Sequence, residues 1–240
     1  MEEKIKIIQN LVKTKINYDG NIFDSIAIDI NNLVDNKVAH NIQEIKNKNN
    51  CKREKGDLWE AFCFLYLKYI LNHDEVWLYK DIPIDLKEKF NLTKNDFGID
   101  IISKKNNNYY AIQCKFKKPM TKVQIISWRS LSTFYAIVTK TGPWEKHIIM
   151  TNVNGCKHIG KKQVKDQSIC IGTFRNTNHF DWLKIIGEDV INKKGETIID
   201  KKEEIIIDET KEIIINKTKE NIRDLRVKYY NNLQNNDKVV

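Results

Sequence analysis

The chain lacks the features that would assign it to a membrane, secreted or zinc-binding class. Its 240 residues contain no run of 18 or more apolar residues, so no conventional transmembrane helix is predicted. The first residues, Met-Glu-Glu-Lys-Ile-Lys, lack the pattern of a secretory signal peptide. The five cysteines are an odd number at irregular spacings, without the paired Cys-x-x-Cys of many zinc sites. We therefore expect a soluble, intracellular (cytoplasmic) protein with reduced thiols and no membrane partner.

Arginine is also scarce, although the chain is basic. There are 5 arginines against 36 lysines, and the net charge is +9. A positive balance suits a polyanionic partner, but an AT-rich genome would encode many lysine, asparagine and isoleucine residues whatever the function. The placement of the lysines is more informative, because one group lies between residues 115 and 122 and another between 157 and 165. A solvated lysine-rich surface is the alternative interpretation of the second group.

Residues 97 to 118 carry the most informative pattern. Phe97–Ser103 and Tyr109–Phe116 are alternating and β-branched, so both predict strands of a hairpin with a polar loop over residues 104–108. The second strand would place Ala111, Gln113, Lys115 and Lys117 on one face and Ile112, Cys114 and Phe116 on the other. If the register sets Asp100 opposite the polar face, a carboxylate, a carboxamide and an ammonium come together. Hard oxygen ligands of this kind suit Mg²⁺.

Two interpretations of this polar face are open. An amphipathic hairpin with a solvated face would show the same pattern without any function. The helix predicted before it, Asp57–Leu71, is apolar almost all round and should be buried, with Glu60 one turn inside it. A buried charge needs a partner, so Glu60 either closes a capping box with Asp57 or shares a metal ion with Asp100. The metal is favoured, because the hairpin independently requires a second carboxylate.

With these motifs the chain resembles the Mrr-type, restriction-endonuclease-like branch of the PD-(D/E)xK nucleases. The resemblance covers residues 55–183 and rests on Glu60, on Gly-Ile-Asp ending at Asp100, on Gln113-Cys-Lys115, and on a following helix with Leu-Ser-Thr-Phe-Tyr-Ala. It implies that Asp100, Glu60 and Gln113 are metal ligands, that Lys115 is the motif lysine, and that all four are catalytic. Gln113 departs from the general pattern, since most of the superfamily has a carboxylate there. A neutral ligand attracts a divalent cation less than an anion does.

The resemblance further implies a metal-dependent DNA endonuclease that hydrolyses phosphodiester bonds. Mg²⁺ is the expected cofactor, with Mn²⁺ as the alternative. DNA is the expected partner, and Lys117, Lys118, Lys122 and Arg129 are the predicted phosphate-binding residues. Asp96 is either an auxiliary ligand or a turn residue. Because cutting both strands would take two active sites, a homodimer is a further hypothesis.

The order of the remaining elements predicts the fold class. Residues 122–140 have helical periodicity, and residues 147–151 and 168–174 read as strands. Helix, hairpin, helix and strands in this order predict an α/β sandwich with a mixed central β-sheet flanked by helices, which the resemblance makes restriction-endonuclease-like. We divide the chain into a helical N-terminal arm and polar linker (1–54), the nuclease domain (55–185), and a charged, isoleucine-rich C-terminal extension ending in a helix (186–240).

The C-terminal extension leaves other functions open. Its isoleucine-rich segments recur at intervals of seven or eight residues, which suits a hairpin or a coiled-coil helix, and Asn221–Leu233 predicts a final helix. An assembly protein acting through this extension is one alternative to a nuclease. The other is a catalytically inactive DNA-binding module on the same fold, in which Gln113 marks lost metal binding.

Overall fold

The described strands form one mixed sheet, as the order of elements predicts. The computed structural model describes residues 1–39, 47–95, 98–157 and 164–187. Its strands are β1 (Glu75–Leu78), β2 (Ile101–Lys105), β3 (Asn108–Lys115), β4 (Lys146–Thr151) and β5 (Asp166–Ile169). They lie in the order β1-β2-β3-β4-β5, with the first two pairs antiparallel and the last two parallel.

Helices cover both faces of this sheet. Those in the described residues are α1 (Glu2–Lys15), α2 (Ile22–Ala39), α3 (Asn47–Leu65), α4 (Ile84–Lys89), α5 (Ser132–Val138), α6 (Ile171–Arg175) and α7 (His179–Ile186). The first three and the last two contribute to one hydrophobic core, whereas α4 and α5 contribute to a second core on the opposite face. The crossover from β3 to its parallel neighbour β4 runs through α5.

The predicted hairpin is present, with a tighter turn than expected. Asn106 and Asn107 have φ angles of 50° and 64° and form a two-residue turn between β2 and β3. Two positive φ angles give the local twist that matches antiparallel strands, and asparagine tolerates them. The Asn106 N–H also donates to the Asp74 carboxylate at 2.8 Å. The flanking lysines, which the pattern placed in the loop, are therefore paired in the strands.

Both faces of the hairpin are buried, which excludes the solvated-face interpretation. Ile112 and Cys114 belong to the first core, with Phe116 packed against it, and Ala111 belongs to the second core. Gln113 is only 3 % exposed. A strand in the middle of a sheet covered on two sides has no solvated face, so the alternation on β3 separates two buried environments.

The buried helix is confirmed, but it begins earlier than predicted. α3 starts at Asn47 and continues through a π-helical turn, Tyr66–Ile70. Asp57 therefore lies inside the helix, and the capping-box role for Glu60 is wrong, because a capping box requires Asp57 at the helix start. The predicted polar linker is likewise helical from Asn47 onward. The indole N–H of Trp59 donates to the Met150 carbonyl at 3.2 Å and fixes α3 on β4.

Two other element boundaries differ from the prediction. The helix expected over residues 122–140 is reduced to a 3₁₀ turn, Trp128–Ser130, and α5. Residues 124–126 instead bond to the chain after β4, with an isolated parallel bridge between Ile126 and Cys156. The strand expected over residues 168–174 ends at Ile169, because the chain turns into α6. Apolar residues at helical spacing also occur where an extended segment and a short helix bury side chains in one core, as Ile126 and Phe134 do here.

The N-terminal helices are part of the same compact unit as the sheet. Met1–Gly187 form that unit, and α1 and α2 bury Ile8, Val12, Phe23, Ile26 and Ile30 in the first core. None of the described helices has the length and apolar composition needed to cross a bilayer. The isoleucine-rich repeats and the helix predicted over Asn221–Leu233 lie outside the described residues.

Candidate active site

Asp100 lies where three strands meet at one edge of the sheet. β1 and β3 run in the same direction and end at the edge where β2 begins. Asp100 directly precedes β2 and extends its pairing, since its N–H donates to the Ile112 carbonyl and its carbonyl accepts the Tyr79 N–H, both at 2.9 Å. The backbone of Asp100 is therefore held from both sides.

The entry into β2 requires the glycine of the Gly-Ile-Asp motif. Gly98 has a φ of +121°, which other residues rarely adopt. A Cβ at this position would lie 3.2 Å from the backbone nitrogen of Phe134, at the start of α5. The glycine thus allows α5 to approach the chain that leads to Asp100.

The carboxylate of Asp100 is buried and hydrogen-bonded to β3. The antiparallel register continues to a position opposite Gln113. Oδ2 of Asp100 accepts hydrogen bonds from Gln113 Nε2 at 2.7 Å and from the Cys114 N–H at 2.5 Å, and the residue is 9 % exposed. The structure therefore brings together the carboxylate and the carboxamide, and their catalytic roles stay predictions.

Lys115 lies at the end of β3, two positions after Gln113 and on the same face of the strand. It is half-buried, and its neighbour on β4 is Thr151. The Thr151 hydroxyl is fully buried and makes no hydrogen bond in the described part of the chain. Such unpaired groups are uncommon in folded proteins. The fold therefore leaves a buried hydroxyl without a hydrogen bond on the strand next to the predicted lysine.

Glu60 lines the same cleft as Asp100. The cleft has a volume of about 410 Å³ and lies between the starts of α1 and β2, the middle of α3 and the end of β1. Its charged lining residues are Asp57, Glu60 and Asp100 among the acids and Lys4, Arg53, Lys80 and Lys94 among the bases. Carboxylates that could hold a cation and cations that could hold a phosphate thus border one space.

Two buried thiols lie beside these carboxylates. Cys63 is one turn after Glu60 on α3, and its thiol hydrogen-bonds with that of Cys114 on β3. Burial raises the pKa of both thiols, and the negative charges of Glu60 and Asp100 contribute to the rise. A thiol with a raised pKa stays neutral and unreactive. The pair therefore serves to join α3 to β3 next to the cleft.

The side chains of the cleft that could hold a metal ion offer oxygen atoms. In the described residues, no three His, Cys, Asp or Glu side chains form a cluster that could hold a metal ion. Glu60 and Asp100 are two carboxylates on one cleft, and Gln113 adds a neutral carboxamide to Asp100. Hard oxygen ligands of this type fit Mg²⁺ or Mn²⁺ better than a soft metal. Asp96, for which an auxiliary ligand and a turn residue were the two interpretations, lies outside the described residues.

The predicted phosphate-binding residues lie beyond the end of β3, and the cleft lining does not include them. Lys117 is half-buried, and its ammonium donates to the Ile125 carbonyl at 2.9 Å. Lys118, Lys122 and Arg129 are exposed. Their contact with DNA stays a prediction.

Several residues of this edge were not predicted from the sequence. Asn152 follows β4, is 4 % exposed, and exchanges two hydrogen bonds with the Lys117 backbone at 2.8 and 2.7 Å. The four cations of the cleft come from α1, α3, the end of β1 and the chain after α4. Only the fold brings such separate segments together. The position of Asn152 just after an apolar strand was the one available signal.

Comparison with known families gives one match to this region. A family model described as "Restriction endonuclease", of the Mrr catalytic type, matches residues 68–189, which is just over half of the chain. Asp100, Gln113 and Lys115 lie within the matched segment, whereas Glu60 lies eight residues before it. Comparison with curated proteins and with solved structures gave no match.

Proposed function

The chain belongs to the Mrr-type restriction endonuclease family, and on that premise we propose that it is a metal-dependent endonuclease that hydrolyses phosphodiester bonds of DNA. The observation that carries the proposal is the cleft that Asp100 and Glu60 share, with Gln113 hydrogen-bonded to Asp100. Two carboxylates in one cleft repel each other when both are ionised. A bound cation would relieve that repulsion.

The donor set fits a hard divalent cation. We propose that Asp100, Glu60 and the carbonyl oxygen of Gln113 hold Mg²⁺, or Mn²⁺ in its place. Because Mg²⁺ keeps several of its waters, two carboxylates and one carboxamide are a sufficient set of protein ligands. When bound, such an ion lowers the pKa of a water ligand and neutralises charge on the phosphate.

The chain's own residues have three tasks in this reaction. Lys115 positions the attacking water and donates to the oxygen atoms of the scissile phosphate, where negative charge develops. The cations of the cleft bind the flanking phosphates of the substrate strand. Gln113 donates to Oδ2 of Asp100 at 2.7 Å, so it fixes the orientation of that carboxylate.

Plasmid cleavage by the full chain tests the proposal. The reaction contains supercoiled DNA with about 5 to 10 mM Mg²⁺ or Mn²⁺, a range suited to weak hydrated sites. The variants are Asp100→Asn and Lys115→Gln, and the matched controls are Asp85→Asn and Lys140→Gln, which change exposed residues. We expect metal-dependent nicking or linearisation that both site variants lose by at least about 100-fold and both controls retain.

One observation favours a second candidate, a non-catalytic DNA-binding module. Asp100 Oδ2 accepts two hydrogen bonds from β3, so protein donors hold this carboxylate, and a neutral Gln113 suits a site that never binds metal. This candidate predicts that the wild type binds DNA, shows no cleavage, and gives no heat of Mn²⁺ binding in calorimetry.

The quaternary structure and the domain division belong to the same proposal. Cleavage of both strands would take two sites, so we propose a homodimer that forms alone or on DNA. We also keep the nuclease domain at residues 55–185, with flanking segments 1–54 and 186–240. Sedimentation with and without duplex DNA tests the dimer.

A further inference from the structure

A short loop, residues 118–123, leaves the sheet just beyond the candidate site, and hydrogen bonds close its base. Lys117 bonds through its backbone to Asn152 at 2.8 and 2.7 Å, and its ammonium reaches the Ile125 carbonyl at 2.9 Å. On the returning side, the Gln124 backbone exchanges two bonds with Asn154 at 3.0 and 2.9 Å. Both ends of the loop are therefore fixed to the chain that follows β4.

The loop presents apolar side chains to solvent. Met120 is 59 % exposed and Val123 is 76 % exposed, and Ile125 just beyond the loop is 49 % exposed. They are three of the nine large exposed hydrophobic residues in the described part of the chain. Exposed apolar groups concentrated at one place commonly mark a binding surface.

The charge along the loop and the chain on either side of it is entirely positive. One carboxylate, Asp24 of α2, borders the pocket of Met120 and Lys122 and is paired with Arg175 at 2.8 Å. From residue 101 to residue 144 the sequence has eight lysine and arginine residues and no aspartate or glutamate. This segment accounts for +8 of the chain's net charge of +9. Lys118 and Lys122 belong to the loop itself and are exposed. The partner of this surface should therefore be an anion with an apolar part.

We infer that loop 118–123 inserts Met120 and Val123 against the bases of duplex DNA while Lys118 and Lys122 bind the adjacent phosphates. This inference rests on the proposed function. Duplex DNA offers phosphates on its outside and stacked apolar bases within its grooves, and apolar side chains can wedge between those bases. Met120 is five residues beyond Lys115, so at most about 18 Å of extended chain separates the wedge from the lysine.

The hydrogen bonds at the base of the loop lower the entropic cost of inserting its apolar side chains between bases. A flexible loop would lose conformational entropy on insertion, whereas a loop whose two ends are already fixed loses less. The same hydrogen bonds connect the loop to Asn152, which follows Thr151, the neighbour of Lys115. Contact of the wedge with the bases would thus set the position of the phosphate at the site.

Binding measurements without metal test the inference apart from cleavage. Fluorescence anisotropy of a labelled duplex is followed in EDTA over a series of salt concentrations, with the full chain. A second duplex carries 2-aminopurine at several positions, and its emission rises when a base is unstacked. The variants are Met120→Ser with Val123→Ser, and Lys118→Gln with Lys122→Gln. The control is Val164→Ser, which changes a 91 % exposed valine near the start of β5, at the opposite edge of the sheet.

The two pairs of residues should have different effects. The lysine pair should lower the slope of log affinity against log salt by about 2. The apolar pair should weaken binding by roughly tenfold, leave the slope unchanged, and abolish the 2-aminopurine signal. The Val164 control should match the wild type in each assay.

The contrary outcomes separate the inference from the proposed function. If the wild type binds and cuts DNA but the apolar pair changes neither affinity nor 2-aminopurine emission, the inference alone is wrong. If the apolar pair instead dissociates a dimer and leaves DNA affinity intact, the loop joins two copies and the inference is again wrong. Failure of the wild type to bind any duplex would overturn both.

Discussion

The hydrogen bonds that Asp100 accepts from β3 predict that its substitution by asparagine and its substitution by alanine differ sharply in their effect on stability. Oδ2 of Asp100 accepts hydrogen bonds from Gln113 and from the Cys114 N–H inside a buried site. Asparagine has an oxygen at the same position and can accept both bonds. Alanine has none and would leave two buried donors unpaired.

The size of the difference follows from those two bonds. A hydrogen bond to a charged acceptor contributes about 1.5 to 3 kcal/mol, so Asp100→Ala should lose about 3 to 6 kcal/mol of unfolding free energy. Asp100→Asn should lose at most about 1 kcal/mol, because the removal of one negative charge beside Glu60 offsets the weaker bonds. For a chain of this size 1 kcal/mol shifts the melting temperature by about 2 to 4 °C, so the alanine variant should melt at least about 6 °C lower.

Urea denaturation in EDTA, followed by tryptophan fluorescence, measures this difference without metal. Both variants should lose cleavage, but only the asparagine variant should do so with a near-normal unfolding midpoint. If the two variants unfold at the same urea concentration, the hydrogen bonds from β3 do not hold Asp100 in the metal-free protein.

Two other buried groups give further predictions. Burial, with the nearby Lys105 ammonium, lowers the pKa of His73 from 6.5 to about 4; between these pH values the unfolded chain binds a proton that the folded chain does not, so stability falls as the pH drops through this range. His73→Gln should flatten that fall in the urea midpoint, and an unchanged pH profile would contradict the shift. Thr151→Val removes a buried hydroxyl that makes no hydrogen bond in the described residues and should stabilise the protein by about 1 kcal/mol or more. A lower urea midpoint in this variant would mean that the hydroxyl has a partner.

The sequence predicted the parts of the site that lie close together along the chain. Gly98, Asp100, Gln113 and Lys115 fall within one hairpin, and strand alternation with antiparallel pairing sets their faces and partners. The buried helix with Glu60 was equally visible, because its apolar residues surround the whole helix. Periodicity could not locate the true start of that helix, since the segment that continues α3 before Asp57 is polar, with Lys52 and Arg53 exposed.

The sequence alone therefore determined the hairpin, the buried helix, the family motifs and the identity of the residues proposed for catalysis. Only the tertiary structure decided what surrounds them. It showed that the polar face of β3 is buried, that Asp57 lies inside a helix, and that cations from α1, α3 and the end of β1 border the cleft of Glu60 and Asp100. It also showed that hydrogen bonds to Asn152 and Asn154 close the base of loop 118–123. The physical reason is the range of the interactions, because periodicity and turn chemistry act over a few residues, whereas burial and charge depend on segments that meet only when the chain folds.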